Sequence, residues 1–176
     1  MKKTLLATAF VGFGLLSTGA FASDGSITIN GKITGTTCDI DIGGAGADGT
    51  VTLPTVSTSA LSAAEDVAGK TLVKIDLTNC SDTGSVRAFF NTTNVNSSTG
   101  NLLNIAATGT PATNVEVQLL NKTQGVIDLR TNDTNPYETI TGDAATLEYY
   151  AQYIAKTAAA GEGDVSTKAV FSLDYQ

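Results

Sequence analysis

At 176 residues, with no histidine, no tryptophan and a formal net charge of −7, the chain fits one domain with a substantial core. The missing histidine removes His-based catalytic triads, proton shuttles and most transition-metal sites. The acidic balance disfavours nucleic acid and anionic lipid as partners.

Met1-Lys2-Lys3 is a cationic start, residues 5–16 are an apolar run, and Ala20-Phe21-Ala22 is a small-residue cleavage site. Together they read as a secretory signal peptide over residues 1–22, too short to span a bilayer. The exported chain then opens on an alternating stretch over residues 26–34. Ile27, Ile29 and Ile33 share one parity with Gly31, while Thr28, Asn30 and Lys32 take the other. Asn30-Gly31 is also a hairpin signal, although arms of about three residues are marginal alone; a third reading folds the strand into its own domain. Burying the three isoleucines in a partner would contribute roughly 5 to 9 kcal/mol. A slip by one residue would present the polar set instead, so register is strongly specified.

Cys38 and Cys80 follow. In an exported chain one bridge is the natural reading, against a metal pair lacking further ligands or two free thiols. Closing that loop would stabilise the fold by about 4 kcal/mol. Strands are predicted over residues 51–53, 72–77, 86–90, 115–120, 125–130, 147–154 and 169–175. Val73, Ile75 and Leu77 form the inward set of the second, Val115, Val117 and Leu119 that of the fourth, and Phe171, Leu173 and Tyr175 share a face of the last. Seven short strands between turn signals predict an all-β fold, an antiparallel sandwich of immunoglobulin type without the core tryptophan of an antibody domain. Ser62-Ala63-Ala64-Glu65 has capping-box spacing ahead of Gly69 and predicts a turn or two of helix. Residues 43–49 and 91–101 read as surface loops. Strand-like ends on both sides of the domain suggest a protein that pairs with copies of itself.

Catalytic and ligand motifs are weak. Asp82-Thr83-Gly84 matches an aspartic-protease tripeptide but sits in a polar turn without a partner carboxylate. Gly69-Lys70-Thr71 echoes a phosphate loop, yet Ala64 stands where its earlier glycine belongs. Asp39, Asp41 and Asp48 hint at calcium, but Gly43 and Thr50 break the loop pattern and surface acid is the better reading. Asn-x-Ser/Thr triplets such as Asn91-Thr92-Thr93 follow from composition.

Taken together, the residues resemble subunits of chaperone-usher fimbriae, close to the type 1 major pilin family. The resemblance covers the whole exported chain. It rests on the signal peptide, the strand from Ile27 to Ile33 with Gly31, the cysteines in Thr37-Cys38-Asp39-Ile40 and Leu77-Thr78-Asn79-Cys80, and the aromatic segment Tyr149-Tyr150-Ala151-Gln152-Tyr153-Ile154-Ala155. It rests also on the ending Phe171-Ser172-Leu173-Asp174-Tyr175-Gln176, with Gly163 fourteenth from the last residue. Gln152 departs from the arginine common in such segments. The resemblance implies an incomplete immunoglobulin-like sandwich lacking its last strand, completed in trans by a donor strand. Residues 23–35 would be the donor extension and 36–176 the pilin domain. Ile27, Ile29, Gly31 and Ile33 would enter a neighbour's groove, and Gly163, Phe171, Leu173 and Tyr175 would serve groove and chaperone contact. It implies no enzymatic activity and no cofactor. The implied partners are copies of the chain, a periplasmic chaperone, an outer-membrane usher, and tip adhesin or adaptor subunits. Its place would be the fimbrium at the cell surface. Alternatives are a minor adaptor or terminator pilin, or a secreted binding module that completes its own sandwich.

Overall fold

The computed structural model describes residues 27–28, 38–81 and 83–176; the signal segment, Ile29, Gly31, Ile33 and Asp82 lie outside the described residues. The strands all belong to the compact unit Gly35–Gln176. They are β1 (Asp39–Asp41), β2 (Val67–Thr78), β3 (Ser85–Phe90), β4 (Leu102–Leu103), β5 (Val115–Asn121), β6 (Glu138–Thr139), β7 (Ala145–Ala155) and β8 (Phe171–Tyr175). One sheet has the order β1-β2-β7-β5-β4 and the other β6-β3-β8, with antiparallel pairing throughout.

Alternation sets the core. In β2, Ile75 and Leu77 point inward and are buried while Leu72 and Lys74 face out. Opposite them Leu147 and Ala145 of β7 take the same parity, and Val117 and Leu119 of β5 continue the layer. The small sheet contributes Val86, Ala88 and Phe90, exposed by no more than 5%. The two sheets also meet through a polar contact: Tyr149 of β7 accepts a hydrogen bond from Ala88 N at 3.1 Å, and its ring meets Phe90 edge-on at 5.2 Å. Cys38 and Cys80 form a disulfide that ties the start of β1 to the turn after β2.

Four local expectations change. The helical turn lies upstream of the Ser62 box, as a 3-10 turn over Thr58–Leu61 capped by Ser57, whose side chain accepts from Ser59 N. Ser62 Oγ and Ala63 N instead donate to the Asp66 carboxylate, closing a tight turn. Gly69 stops no helix: it sits at φ +70° where the β2–β7 register shifts, and a Cβ there would meet the Tyr153 ring at 2.9 Å, so glycine marks a bulge. Residues 125–130 form no strand. A single bridge joins Val126 to Leu120, after which Ile127 and Leu129 plug the core with 0% exposure. Residues 51–53 have no ladder partner among the described residues either.

The outer face of the large sheet buries one carboxylate. Glu116 is 2% exposed and accepts from Asn96 Nδ2 at 2.5 Å, Thr99 Oγ1 at 2.6 Å and Asn101 Nδ2 at 3.2 Å, with Lys156 Nζ at 3.5 Å. Burial pushes its pKa up, but the three donors and Lys156 outweigh it and hold the carboxyl below its ordinary value. A depressed folded-state value stabilises the fold above the unfolded value of 4.5, and that contribution is lost as pH falls through the folded value. Glu116→Gln is therefore expected to cost about 2 kcal/mol at pH 7, with the gap to the unsubstituted chain narrowing in acid. Urea unfolding at pH 7 and pH 3 measures both.

Candidate functional site

The terminal strand β8 lies at one rim of the small sheet. Its register with β3 pairs Tyr175 with Val86, Leu173 with Ala88 and Phe171 with Phe90. Gln176 and Ser85 exchange two hydrogen bonds of 2.8 and 2.9 Å, and Asn91 N donates to Val170 O at 2.9 Å. Antiparallel alternation then sends the amides of Ser172 and Asp174 toward β3, and those of Phe171, Leu173 and Tyr175 toward the other side, where no described residue meets them. The pattern continues upstream. The carbonyls of Lys168, Ser166 and Asp164 accept from Asn94 Nδ2, Ile105 N and Ala112 N, whereas the main-chain groups of Val165, Thr167 and Ala169 have no hydrogen-bond partner among the described residues. From 165 to 175 this edge runs about 33 Å at about 3.3 Å per residue.

The side chains repeat the message. Val165, Ala169, Phe171, Leu173 and Tyr175 pack against the core yet remain half-buried, while the β3 partners of the last three are sealed. Thr167 shares their parity, and its Oγ1 is buried without a hydrogen-bond partner among the described residues. A second wall comes from the front of the domain. Ile40, Ile42 and Leu53 are half-buried on the same core, and residues 50–56 make no hydrogen bond among the described residues. Cys38 N donates to Tyr175 Oη at 3.1 Å, joining the two walls at one end. Val56 and Val165 pack on one satellite cluster around Leu61 and Ala155 at the other. Two walls, each with main-chain groups that have no hydrogen-bond partner among the described residues and with half-covered apolar side chains on one core, define a groove.

The opposite rim of the same sheet is closed. β6 covers only Ser85 and Val86 of β3; beyond it, side chains stand in for a strand. Asn135 Nδ2 donates to Ala88 O at 2.6 Å. Asn132, 1% exposed, accepts from Phe90 N at 3.0 Å and donates to Phe90 O at 2.9 Å.

Of the residues singled out from the sequence, Phe171, Leu173 and Tyr175 line this groove. Gly163 stands just beyond its upper end at φ +143°, where a Cβ would lie 2.3 Å from Thr110 O and 2.5 Å from Ala112 N. Its place is against the backbone of the neighbouring loop. Ile27 is exposed; Ile29, Gly31 and Ile33 lie outside the described residues. Val165, Thr167 and Ala169 were missed, although strict alternation with Ser166, Lys168 and Val170 carries the parity of Phe171 back to them. Ile40, Ile42 and the closing asparagines carry no comparable local signal. Asp41 turns its carboxylate to the amides of Gly44 and Gly46 at 3.1 and 2.9 Å, and Gly69-Lys70-Thr71 lies within β2. Among the described residues no group of three or more His, Cys, Asp or Glu is placed to hold a metal ion.

An all-β sandwich with one rim capped by side chains and, among the described residues, the other left as an open edge over half-covered apolar side chains belongs to the incomplete immunoglobulin-like class that accepts a strand from elsewhere. The family described as Fimbrial protein matches residues 27–176, and the chain belongs to that family. It is 42% identical over 164 residues to the major fimbrial subunit SMF-1 of Stenotrophomonas maltophilia strain K279a, covering 89% of this chain and 95% of that one. It is 37% identical over 179 residues to the F17 fimbrial protein of Escherichia coli, covering 91% and 92%. Type-1 fimbrial A chains are also among its relatives, in keeping with the resemblance drawn from the sequence. A subunit in the structure of a chaperone-usher pilus shares the fold, with a TM-score of 0.60 at 24% identity over 88% of this chain and 96% of that one.

Proposed function

We propose that this chain is a structural subunit of a bacterial surface fimbria that polymerises by donor-strand exchange. Residues 1–22 direct export, residues 23–35 are donated, and residues 36–176 form the accepting domain. The observation that carries the reading is the open edge of β8, with half-buried apolar residues at every second position. Ile27, Ile29 and Ile33 share the spacing of that row, and Gly31 on the same parity suits a shallow place in it. The acceptor backbone supplies hydrogen bonds and the isoleucines supply apolar burial, so register is fixed by both. A groove of this kind is a liability until filled. A periplasmic chaperone holds it first, the next subunit's extension replaces the chaperone at the outer-membrane usher, and tip adhesin or adaptor subunits join the same fibre. The work is structural and uses no cofactor. No helix among the described residues is long and apolar enough to cross a membrane, and membership of a family of surface-fimbria subunits places the product at the cell surface.

The test is a thermal melt of a chain beginning at Thr36, with and without a peptide covering residues 23–35. A saturable rise in Tm is expected, and it should vanish when the peptide carries Ile29→Asp. A chain that melts at the same high temperature with or without peptide would mean a sandwich complete in itself, and the reading would fall.

A further inference from the structure

The donor-strand reading leaves one physical question, which is what keeps β8 in place before a donor arrives. β8 has five paired residues and one ladder neighbour among the described residues, and its inward side chains are half-exposed. Strands so placed fray readily.

On the face of the small sheet turned away from the groove, Asp174 sits directly opposite Arg87. Arg87 Nε and Nη2 both reach Asp174 Oδ2 at 2.9 Å. Its Nη1 donates to Asn135 O at 3.0 Å and Asn132 O at 3.4 Å. The guanidinium lies 4.4 Å from the centre of the Tyr137 ring, and Tyr137 Oη donates to Asp174 Oδ2 at 2.6 Å. Arg87 is the most shielded basic side chain of any ion pair among the described residues, at 17% exposure, with Asp174 at 35%. One guanidinium thus joins three segments: β3, the open-edge strand β8, and the loop whose asparagines close the opposite rim.

We propose that Arg87, Asp174 and Tyr137 are positioning residues, a clamp that holds β8 in the register needed to receive a donor strand. The proposal rests on the donor-strand reading for its function, though not for its effect on β8. None of the three points into the groove, so they act on the donated apolar face only through the backbone of β8. A planar guanidinium that sets two donors on one carboxylate oxygen and lies over an aromatic ring suits the task because its fixed fork sets direction as well as distance. Before complementation β8 is held by its ladder with β3, by the packing of its inward side chains, by the Cys38–Tyr175 hydrogen bond and by the clamp. Afterwards a second ladder holds it, and the clamp matters less. The binding-competent population, and with it the rate of donor capture, should depend on the clamp, while release of a seated donor should not.

The experiment uses the exported chain carrying Ile29→Asp, which presents its groove but cannot donate, with a peptide of residues 23–35 as probe. Asp174→Asn, Tyr137→Phe and Arg87→Lys are compared in that background. Amide hydrogen exchange at Ser172 and Asp174 without peptide should quicken by about tenfold in Asp174→Asn, and peptide association should slow by about threefold or more with dissociation unchanged. Arg87→Lys, which keeps the charge and loses the fork, should fall between. Unchanged exchange at β8, or equal losses in the free and peptide-bound states, would reduce the cluster to ordinary surface stabilisation and overturn the proposal. If the peptide fails to bind even the unsubstituted groove, the donor-strand reading fails by itself, and the exchange result still decides whether the clamp orders β8.

Discussion

Gly163→Ala is expected to destabilise the domain by about 3 to 5 kcal/mol, the sum of backbone strain and a clash that has nowhere to relax. At φ +143° the position is open to glycine and hostile to other residues. The Cβ would also meet Thr110 O at 2.3 Å, Ala112 N at 2.5 Å and Pro111 C at 2.7 Å. These are main-chain atoms, and they are fixed from both sides: Asp164 N donates to Thr110 O and Ala112 N donates to Asp164 O, at 2.7 and 2.9 Å. Relief would require breaking the bridge between Pro111 and Asp164, which anchors the upper end of the groove wall. Gly43 is the internal control. It too has positive φ, +65°, but a Cβ there meets nothing within 4 Å, so Gly43→Ala should cost about 1 kcal/mol. For a domain of this size the difference is roughly 10 °C in Tm, and paired melts of the two variants measure it. Equal melts would mean that the loop at Pro111 yields freely.

Much of this architecture is legible in the sequence because alternation is a local property. The inward sets of β2, β5 and β8 follow from counting by two, and the face of β8 is the face of the groove. What alternation cannot reveal is whether a strand finds a neighbour. Residues 51–53 carry the pattern and lie along the wall with no ladder among the described residues. Residues 125–130 carry it too, but β4 occupies the start of the β5 edge, pairing Leu102 with Val117. Val126 is left with a single bridge before Asp128 turns the chain by accepting from Arg130 N. The capping-box spacing at Ser62 is outcompeted by Asp66, whose carboxylate binds the same turn more directly. Arg87 and Asp174 are far apart in sequence, and only the pairing of β3 with β8 brings them face to face. The closed rim is hardest to foresee, since Asn132 and Asn135 sit in a stretch that reads as an ordinary polar turn and become strand substitutes through tertiary placement.

The second large effect separates giving a strand from receiving one. Leu173→Asp should abolish acceptance while sparing donation, because position 173 is half-exposed in the accepting domain and a carboxylate there keeps part of its hydration at the cost of the packing Leu173 makes on the core. Once a donor covers it, the same carboxylate is buried against apolar side chains with no partner, at a cost of several kcal/mol. Ile29→Asp should do the converse, since it spoils the donated face and leaves the groove intact. Neither variant alone should polymerise, while the unsubstituted chain gives ladders that survive in unheated gels. Mixed, they should form one heterodimer and stop: the Leu173→Asp copy donates into the groove of the Ile29→Asp copy, and the two remaining functions are both disabled. A ladder from either variant alone would mean that polymerisation uses another surface. Absence of the dimer, where the unsubstituted chain does polymerise, would break the link between these two residues. A chain that inserted its own extension would behave differently again, because both substitutions would then weaken the monomer and mixing would restore nothing.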